Sequence, residues 1–111
     1  MWVMVAGPYS SGGADAARRA ANLRAMNEAA LALLRMGHVP VIGVNMALPA
    51  IEAGGDVCFD EVMMPLSLAL AERCDACLRI GGPSAAVDAE MARFLAAGKP
   101  VFCSLAEVPP A

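Results

Sequence analysis

The sequence predicts an α/β fold, doubly wound in the flavodoxin-like manner, with helices on both faces of a parallel sheet of four to five strands in the order 2-1-3-4. Short apolar runs alternate along the chain with longer segments whose apolar residues recur at helical spacing. Strands that alternate with helices are joined as parallel strands by right-handed crossovers. With 111 residues, the chain is expected to form one domain over residues 1–111.

The first part of the chain has the pattern strand, helix, strand. Residues 2–6 are a continuous apolar run that ends at Gly7 and Pro8, as expected of a strand buried on both faces. A helix is predicted over residues 14–36 and ends at Gly37. The β-branched run over residues 38–44 predicts the second strand. The apolar stripe of the helix comprises Leu23, Met26, Ala30, Leu33 and Leu34.

The middle of the chain is less regular. Pro49, Gly54 and Gly55 predict a loop over residues 45–56, with at most one helical turn. Residues 59–73 have a helical pattern that Pro65 interrupts, which predicts a kink or a new turn there.

The last third repeats the alternation of strand and helix. Strands are predicted over residues 75–80 and 101–104. The helix between them, residues 84–97, begins at Ser84 as its N-cap. The tail up to Ala111 is expected to be frayed. The apolar stripe of this helix comprises Val87, Met91, Phe94 and Leu95.

Composition excludes several classes of protein. Hydrophobic residues make up 59% of the chain, which excludes intrinsic disorder. No apolar run approaches the roughly 20 residues of a membrane span, and the first residues lack the basic region of a signal peptide. A cytoplasmic location without a membrane partner is therefore expected. The net charge is -3 and the basic residues are dispersed, so nucleic-acid polymers are not expected partners.

The cysteines and the single histidine are expected to be structural. Cys58, Cys74, Cys77 and Cys103 lie in or beside apolar segments, which indicates buried thiols. Cys74 and Cys77 form a C-x-x-C pair, but the pair follows a helix and has no second pair to complete a zinc site. His38 is expected to pack or to bond locally. No metal and no cofactor are predicted.

In a doubly wound sheet, ligands bind at the carboxyl ends of the strands where the winding reverses, here between the first and third strands. The two loops that leave these strands are rich in glycine, proline and serine, and their amides can face a phosphate or sugar. Neither a Walker motif nor G-x-G-x-x-G is present, and ordinary strand-to-helix turns are the alternative. The candidate substrate-binding residues of these loops are Gly7, Pro8, Tyr9, Ser10, Gly12, Gly81, Gly82 and Ser84.

Glu90 is the candidate catalytic residue. It lies six residues after Ser84, at the border of the apolar stripe of its helix. A carboxylate there is partly desolvated and therefore more nucleophilic, while the helix dipole favours its ionised form. The alternative is a solvated glutamate on a helix edge.

Several short motifs occur in order between residues 3 and 103. They are Gly7-Pro8-Tyr9-Ser10, Asn22 with Ala25, Gly37-His38-Val39-Pro40, Cys74-Asp75, Pro83-Ser84 with Glu90, and Gly98-Lys99-Pro100-Val101. In order and spacing they resemble the nucleoside 2-deoxyribosyltransferase superfamily, most closely its small DUF4406 branch. The resemblance implies an enzyme whose glutamate attacks the anomeric carbon of a nucleoside or nucleotide and then passes the sugar to another base or to water.

Carried over position by position, the resemblance assigns Glu90 as the nucleophile and Ser84 as a ligand of the sugar or phosphate. Met4 stands where the family has a tyrosine, and Ser67 stands where well-studied members have an acidic residue. Tyr9 is one candidate to replace the lost polar groups.

Asp60, two helical turns before Ser67, is the other candidate and completes the set of predicted substrate-binding residues. A module of the same fold that binds a nucleotide or sugar phosphate without turnover is the alternative function, since a fold can outlive its activity.

A homodimer or higher homo-oligomer is expected, because a chain this short buries only part of so much apolar surface. The helical segment over residues 59–73 has apolar residues around more of its circumference than one stripe of roughly 100° requires. This surface is predicted to face a second copy close to the ligand site. Its residues are Val62, Met63, Met64, Leu66, Leu68 and Leu70.

Overall fold

A computed structural model describes residues 1–55 and 59–111 of the chain. Its centre is a sheet of four parallel strands in the order β2, β1, β3, β4. The predicted doubly wound fold and strand order are therefore confirmed. The strands are β1 (Trp2–Ala6), β2 (Val39–Val41), β3 (Ala76–Arg79) and β4 (Val101–Phe102).

Helices lie on both faces of the sheet. Within the described ranges, no helix is long and apolar enough to cross a membrane. The helices are α1 (Ala16–Arg35), α2 (Gly43–Gly54), α3 (Phe59–Arg73) and α4 (Ala85–Ala96), and a single 3-10 turn (Leu105–Glu107) follows β4.

Alternate side chains of β1 divide the core into two layers. Val3 and Val5 pack in one cluster with buried residues of α1 and α2. Met4 and Ala6 pack in the other cluster, with residues of α4 and the last turn of α3. This is the period-two alternation of a strand buried on both faces.

Residues 43–54 form the three-turn helix α2, so the predicted loop over this region is wrong. Val44, Ala47 and Ile51 recur at helical spacing and pack against the core. Pro49 lies within the helix on its exposed side, where the ring leaves only one backbone carbonyl without its donor. Burial of the apolar face outweighs this local cost. Because α2 begins at Gly43, β2 ends earlier than predicted.

The helix α3 runs continuously through Pro65 and lies between α2 and α4. Its apolar residues are therefore shared between the two core clusters. Met64 and Leu68, predicted to face a second copy, are only partly exposed. The neighbouring helices account for the wide apolar circumference, and the homo-oligomer stays a prediction.

Two predicted core residues lie instead at the surface. In α1 the buried residues are Met26, Ala29 and Leu33, whereas Leu34 is 58% exposed. In α4, Leu95 is 63% exposed while Phe94 is fully buried. Successive residues of a helix point about 100° apart, so when two large apolar residues are adjacent, burial of the first turns the second away from the core.

The C-terminal tail is docked rather than frayed. Val108 is buried against the core, and the backbone N–H of Ala111 donates to the carbonyl oxygen of Met36 at 3.0 Å. The buried ring of His38 bonds through Nε2 to the carbonyl oxygen of Pro109 at 2.7 Å. A carbonyl can only accept, so Nε2 carries the proton. His38 is a packed residue, as predicted, but its partner is distant in sequence.

Candidate functional site

The loops that leave β1 and β3 meet where the winding reverses. A Cβ added to Gly81 would lie 2.7 Å from Cδ of Pro8, and Gly81 has a φ of +79°. Only glycine satisfies both conditions. A Cβ on Gly7 would approach Cγ1 of Ile80 to 2.9 Å. The two loops are therefore in direct contact, as the predicted switch point requires.

Ser84 links this contact to helix α4. Its Oγ accepts a hydrogen bond from the backbone N–H of Val87 at 3.3 Å, which confirms the predicted N-cap. The same Oγ lies 2.7 Å from Oγ of Ser11 in the first loop. The two hydroxyls therefore form a hydrogen-bonded pair between the loops, and Ser84 is buried.

Glu90 is buried two turns into α4 and is 8% exposed. The alternative of a solvated surface glutamate is therefore wrong. Burial raises the pKa of Glu90 from its ordinary value of 4.5 to about 7. The expected help of the helix dipole does not offset this desolvation. Near neutral pH, Glu90 is present in both its protonated and ionised forms.

The Glu90 cleft is the space that this carboxyl group shares with the first loop. Its volume is about 40 Å³, room for about one water molecule. Tyr9 and Phe59 are stacked at its side, with ring centroids 5.8 Å apart and planes inclined by 21°. The cleft is lined by Gly7, Tyr9, Ser10, Ser11, Val44, Phe59, Met63, Met64, Ser84, Ala86 and Glu90.

Two larger cavities adjoin the same loop. One, of about 430 Å³, lies on the side of Tyr9 and Phe59 and is lined by Arg19 and Asp60 among others. The other, of about 230 Å³, contains Arg18. In this second cavity, Asn22 also donates from Nδ2 to the carbonyl oxygen of Tyr9 at 2.9 Å and so anchors the loop.

The structure brings together most of the predicted site. Gly7, Tyr9, Ser10 and Ser84 line the Glu90 cleft with the carboxyl group itself. The remaining predicted residues surround the cleft. Pro8 and Gly82 line the cavity that contains Arg18, with Gly81 in contact with Pro8, and Asp60 lines the cavity that contains Arg19. Gly12 is exposed at the tip of the loop, with a φ of +71°.

Sequence reasoning did not single out Ser11 or Phe59, and it assigned the methionines of α3 to a surface facing a second copy instead of to the cleft. Ser11 and Ser10 are adjacent serines, and only the turn geometry decides which of them meets Ser84. Phe59 enters the site by stacking on Tyr9, a contact between distant parts of the chain. No local pattern signals either contact.

Met4 and Ser67, the two positions at which the sequence departs from the superfamily that it resembles, are both core residues. Met4 is fully buried in the sheet layer that faces α4. Ser67 is 1% exposed, and its Oγ is a buried side-chain oxygen without a partner among the described residues. A Cβ on Gly43 would lie 2.5 Å from that Oγ, so Ser67 sits where α2 crosses α3. Neither position supplies a polar group to the cleft, where the phenol present is that of Tyr9.

Cys74 and Cys77 are buried free thiols, as predicted. Burial, with the nearby Glu90 carboxylate as a smaller cause, raises the pKa of Cys77 to about 12. Cys103 is free but exposed, so the prediction of a buried thiol is wrong there. Cys58 lies outside the described residues.

The fold and the site define a doubly wound α/β domain with a buried carboxyl group beside its switch point. Residues 1–105 match the family described as Domain of unknown function (DUF1937), and the chain belongs to that family. No curated protein and no solved structure matches the chain. The resemblance to the nucleoside 2-deoxyribosyltransferase superfamily stays a prediction.

Proposed function

We propose that this protein cleaves the N-glycosidic bond of a nucleoside or nucleotide, as a 2-deoxyribosyltransferase or an N-glycosidase, with Glu90 as the nucleophile. The observation that carries the proposal is the buried carboxyl group of Glu90, which shares a cleft with Ser84 and Ser11 at the switch point. Burying an ionisable group without a charged partner costs stability, so such groups concentrate at functional sites.

In the proposed reaction, the ionised carboxylate attacks the anomeric carbon of the sugar. A bond forms between a Glu90 oxygen and that carbon while the carbon-nitrogen bond breaks, and its electron pair leaves with the base, which takes up a proton. Water or a second base then attacks the same carbon and gives up a proton to solvent, while the bond to the Glu90 oxygen breaks and its electron pair returns to the carboxylate. Each step inverts the carbon, so the overall outcome is retention.

The surroundings of Glu90 suit a sugar that has a phosphate on one side and a base on the other. The hydroxyls of Ser84 and Ser11 are paired and can reorient toward a sugar hydroxyl or phosphate oxygen. Arg18, in the adjoining cavity, supplies a cation for a phosphate. The stacked rings of Tyr9 and Phe59 offer a flat apolar surface to a base.

The narrowness of the cleft adds a condition. A space of about 40 Å³ does not hold a sugar, so the proposal requires the cleft to widen as the substrate enters. Closure around the sugar would then exclude water from Glu90. Excluding water strengthens the electrostatic interactions of the carboxylate with the developing positive charge.

A binding module without turnover is the second candidate, supported by the replacements at Met4 and Ser67. Both positions lie in the core and add no polar group to the cleft. Such a module would hold a nucleotide or sugar phosphate through the same loops. The expected small-molecule partner is thus the same under both candidates, and only turnover separates them.

The test is release of free base, measured by chromatography after incubation with each deoxynucleoside and its 5′-monophosphate. We expect release by the wild type and a loss of at least about 10²-fold in Glu90→Gln, because the amide lacks the nucleophilic charge. Glu72→Gln is the matched control, since Glu72 is an exposed glutamate that pairs with Arg93. Equal rates for wild type and Glu90→Gln would refute the mechanism.

The binding module gives a different result in the same samples. Its Tm would rise with deoxynucleotide concentration while no base is released, because ligand that binds only the folded state stabilises it. Release of base by the wild type would exclude this alternative. A protein that neither releases base nor gains stability would contradict both candidates.

A further inference from the structure

A mostly apolar cavity lies away from Glu90, beside the free edge of β2. Its volume is about 450 Å³, within the range of about 300 to 1,000 Å³ found for small-molecule sites. We call it the Trp2 groove. Its walls include Trp2, Ala30, Val41, Met46 and Leu70. Trp2 is 54% exposed and Met46 is 52% exposed, so these walls face water in the free protein.

Trp2 is held in place by its backbone. Its N–H donates to Oδ2 of Asp75 at 2.8 Å, and the N–H of Asp75 donates to the carbonyl oxygen of Trp2 at the same distance. This reciprocal pair fixes the end of β1 from which the indole projects. The exposed aromatic ring is therefore anchored by an ordered backbone.

The polar groups of the groove are few and available for bonding. Arg73, in the last turn of α3, lines the groove and forms none of the ion pairs among residues 1–55 and 59–111. Asn45 donates from Nδ2 to Oδ1 of Asn27 at 2.7 Å. This bond leaves the Nδ2 of Asn27 with both of its protons to donate. The groove thus offers cationic and amide donors above apolar walls.

We propose that the Trp2 groove binds a small apolar carboxylate, with its hydrocarbon part on Trp2, Met46 and Leu70 and its carboxylate at Arg73. An apolar cavity with few convergent polar groups has the composition of a ligand site, and Arg73, the one charged side chain of its lining among residues 1–55 and 59–111, selects an anion. A guanidinium binds a carboxylate through two parallel N–H donors. This site is independent of the function proposed for Glu90.

The edge of β2 disfavours an added peptide strand as the occupant. Val39 donates its N–H inward to the carbonyl oxygen of Met1. The next residue, Pro40, has no N–H to offer on the outer side. Strand addition depends on such main-chain donors, so the occupant is held by side chains.

Fluorescence of Trp2 tests the proposal directly, because it is the only tryptophan of the chain. The probes are decanoate, decanol and decylammonium, which share a tail and differ in charge, each kept below its aggregation concentration. Decanoate should produce a saturable shift of the emission to shorter wavelength as the indole leaves water. Decanol should bind at least about tenfold more weakly and decylammonium more weakly still, since only the anion engages Arg73.

Charge reversal at matched positions completes the test. Arg73→Glu should weaken decanoate binding by about tenfold or more and leave decanol unchanged. Arg35→Glu is the control: Arg35 is also exposed in the last turn of its helix, but it does not line the groove. Equal affinities for decanoate and decanol, no saturable shift, or equal effects of the two variants would overturn the proposal. So would a dimer, seen by light scattering, in which Trp2 is already shielded.

Discussion

The Glu90 cleft and the Trp2 groove both include residues of α2 and α3, but they differ in almost every physical property. The cleft holds about 40 Å³ and contains the buried Glu90 and Ser84. The groove holds about 450 Å³, and its polar residues are exposed. The groove is therefore the larger of the two spaces, whereas the cleft is the one that contains buried polar side chains.

This difference shows what each region can do. A desolvated carboxyl group has a perturbed pKa and little water to compete with, which are the conditions for nucleophilic chemistry. Exposed apolar walls gain free energy simply by being covered, at roughly 25 cal/mol per Å². The proposed bond cleavage therefore suits the small cleft, and the proposed binding without chemistry suits the large groove.

The pH dependence of base release gives the largest expected effect. Because the nucleophile must be ionised and the pKa of Glu90 is about 7, kcat/KM should rise about tenfold per pH unit up to pH 7 and then level off. Between pH 5 and pH 7 the rise should be about fiftyfold, because only about half of Glu90 is ionised at pH 7. Initial rates of base release measure it. A profile that is flat over this range would break the assignment of chemistry to the cleft.

Stability should depend on the same group in the opposite sense. The folded state prefers protonated Glu90, so the free energy of unfolding should fall as pH rises from about 4.5 to about 7 and then stay constant. Glu90→Gln should remove this fall and raise stability at pH 8 by about 3 kcal/mol. Urea unfolding of both proteins at pH 4.5 and pH 8 is the measurement. Glu72→Gln should retain the wild-type slope.

Alanine substitutions at two glycines measure how tightly the loops beside the cleft are packed. In Gly7→Ala the new methyl group would meet Ile80 at 2.9 Å and Met26 at 3.2 Å, so we expect a loss of about 1 to 2 kcal/mol. Gly82→Ala is the matched control, because a Cβ there has no atom within 4 Å. Its stability should stay within about 0.5 kcal/mol of the wild type. Equal losses in thermal unfolding would mean that the two loops are not packed as described.

The smallest effect is expected in the groove. Met46→Ala removes an exposed side chain, so the free energy of unfolding should change by less than about 0.5 kcal/mol, and base release should be unchanged. The affinity for decanoate should nevertheless fall, because part of the apolar wall is gone. A fall in base release in this variant, with normal stability, would show that the two regions are coupled.

The local signals of the sequence located much of the candidate site. The pattern of Gly7, Pro8 and Ser84 after apolar runs predicted two loops at the ends of adjacent strands, and the structure joins them through Ser11. The N-cap role of Ser84 was readable because its partner, Val87, is three residues away. Patterns that span only a few neighbouring residues can be recognised directly in the sequence.

Other features were not readable, because partners distant in sequence decide them. The helix α2 contains Pro49 and lies near glycines, a combination typical of a loop, but burial of its apolar face stabilises the helix. The tail looked frayed because its partners, Met36 and His38, lie far back in the chain. The wide apolar circumference of α3 reflects two neighbouring helices within the same chain.

The sequence by itself determined the alternation of strands and helices, and the rule of right-handed crossovers converted it into a parallel sheet with one switch point. It also placed Glu90 two turns from the start of α4. Only the tertiary structure decided that Glu90 is buried, since burial depends on the surfaces that cover a residue. The raised pKa of Glu90 follows from that burial, because desolvation in a packed interior disfavours its charged form.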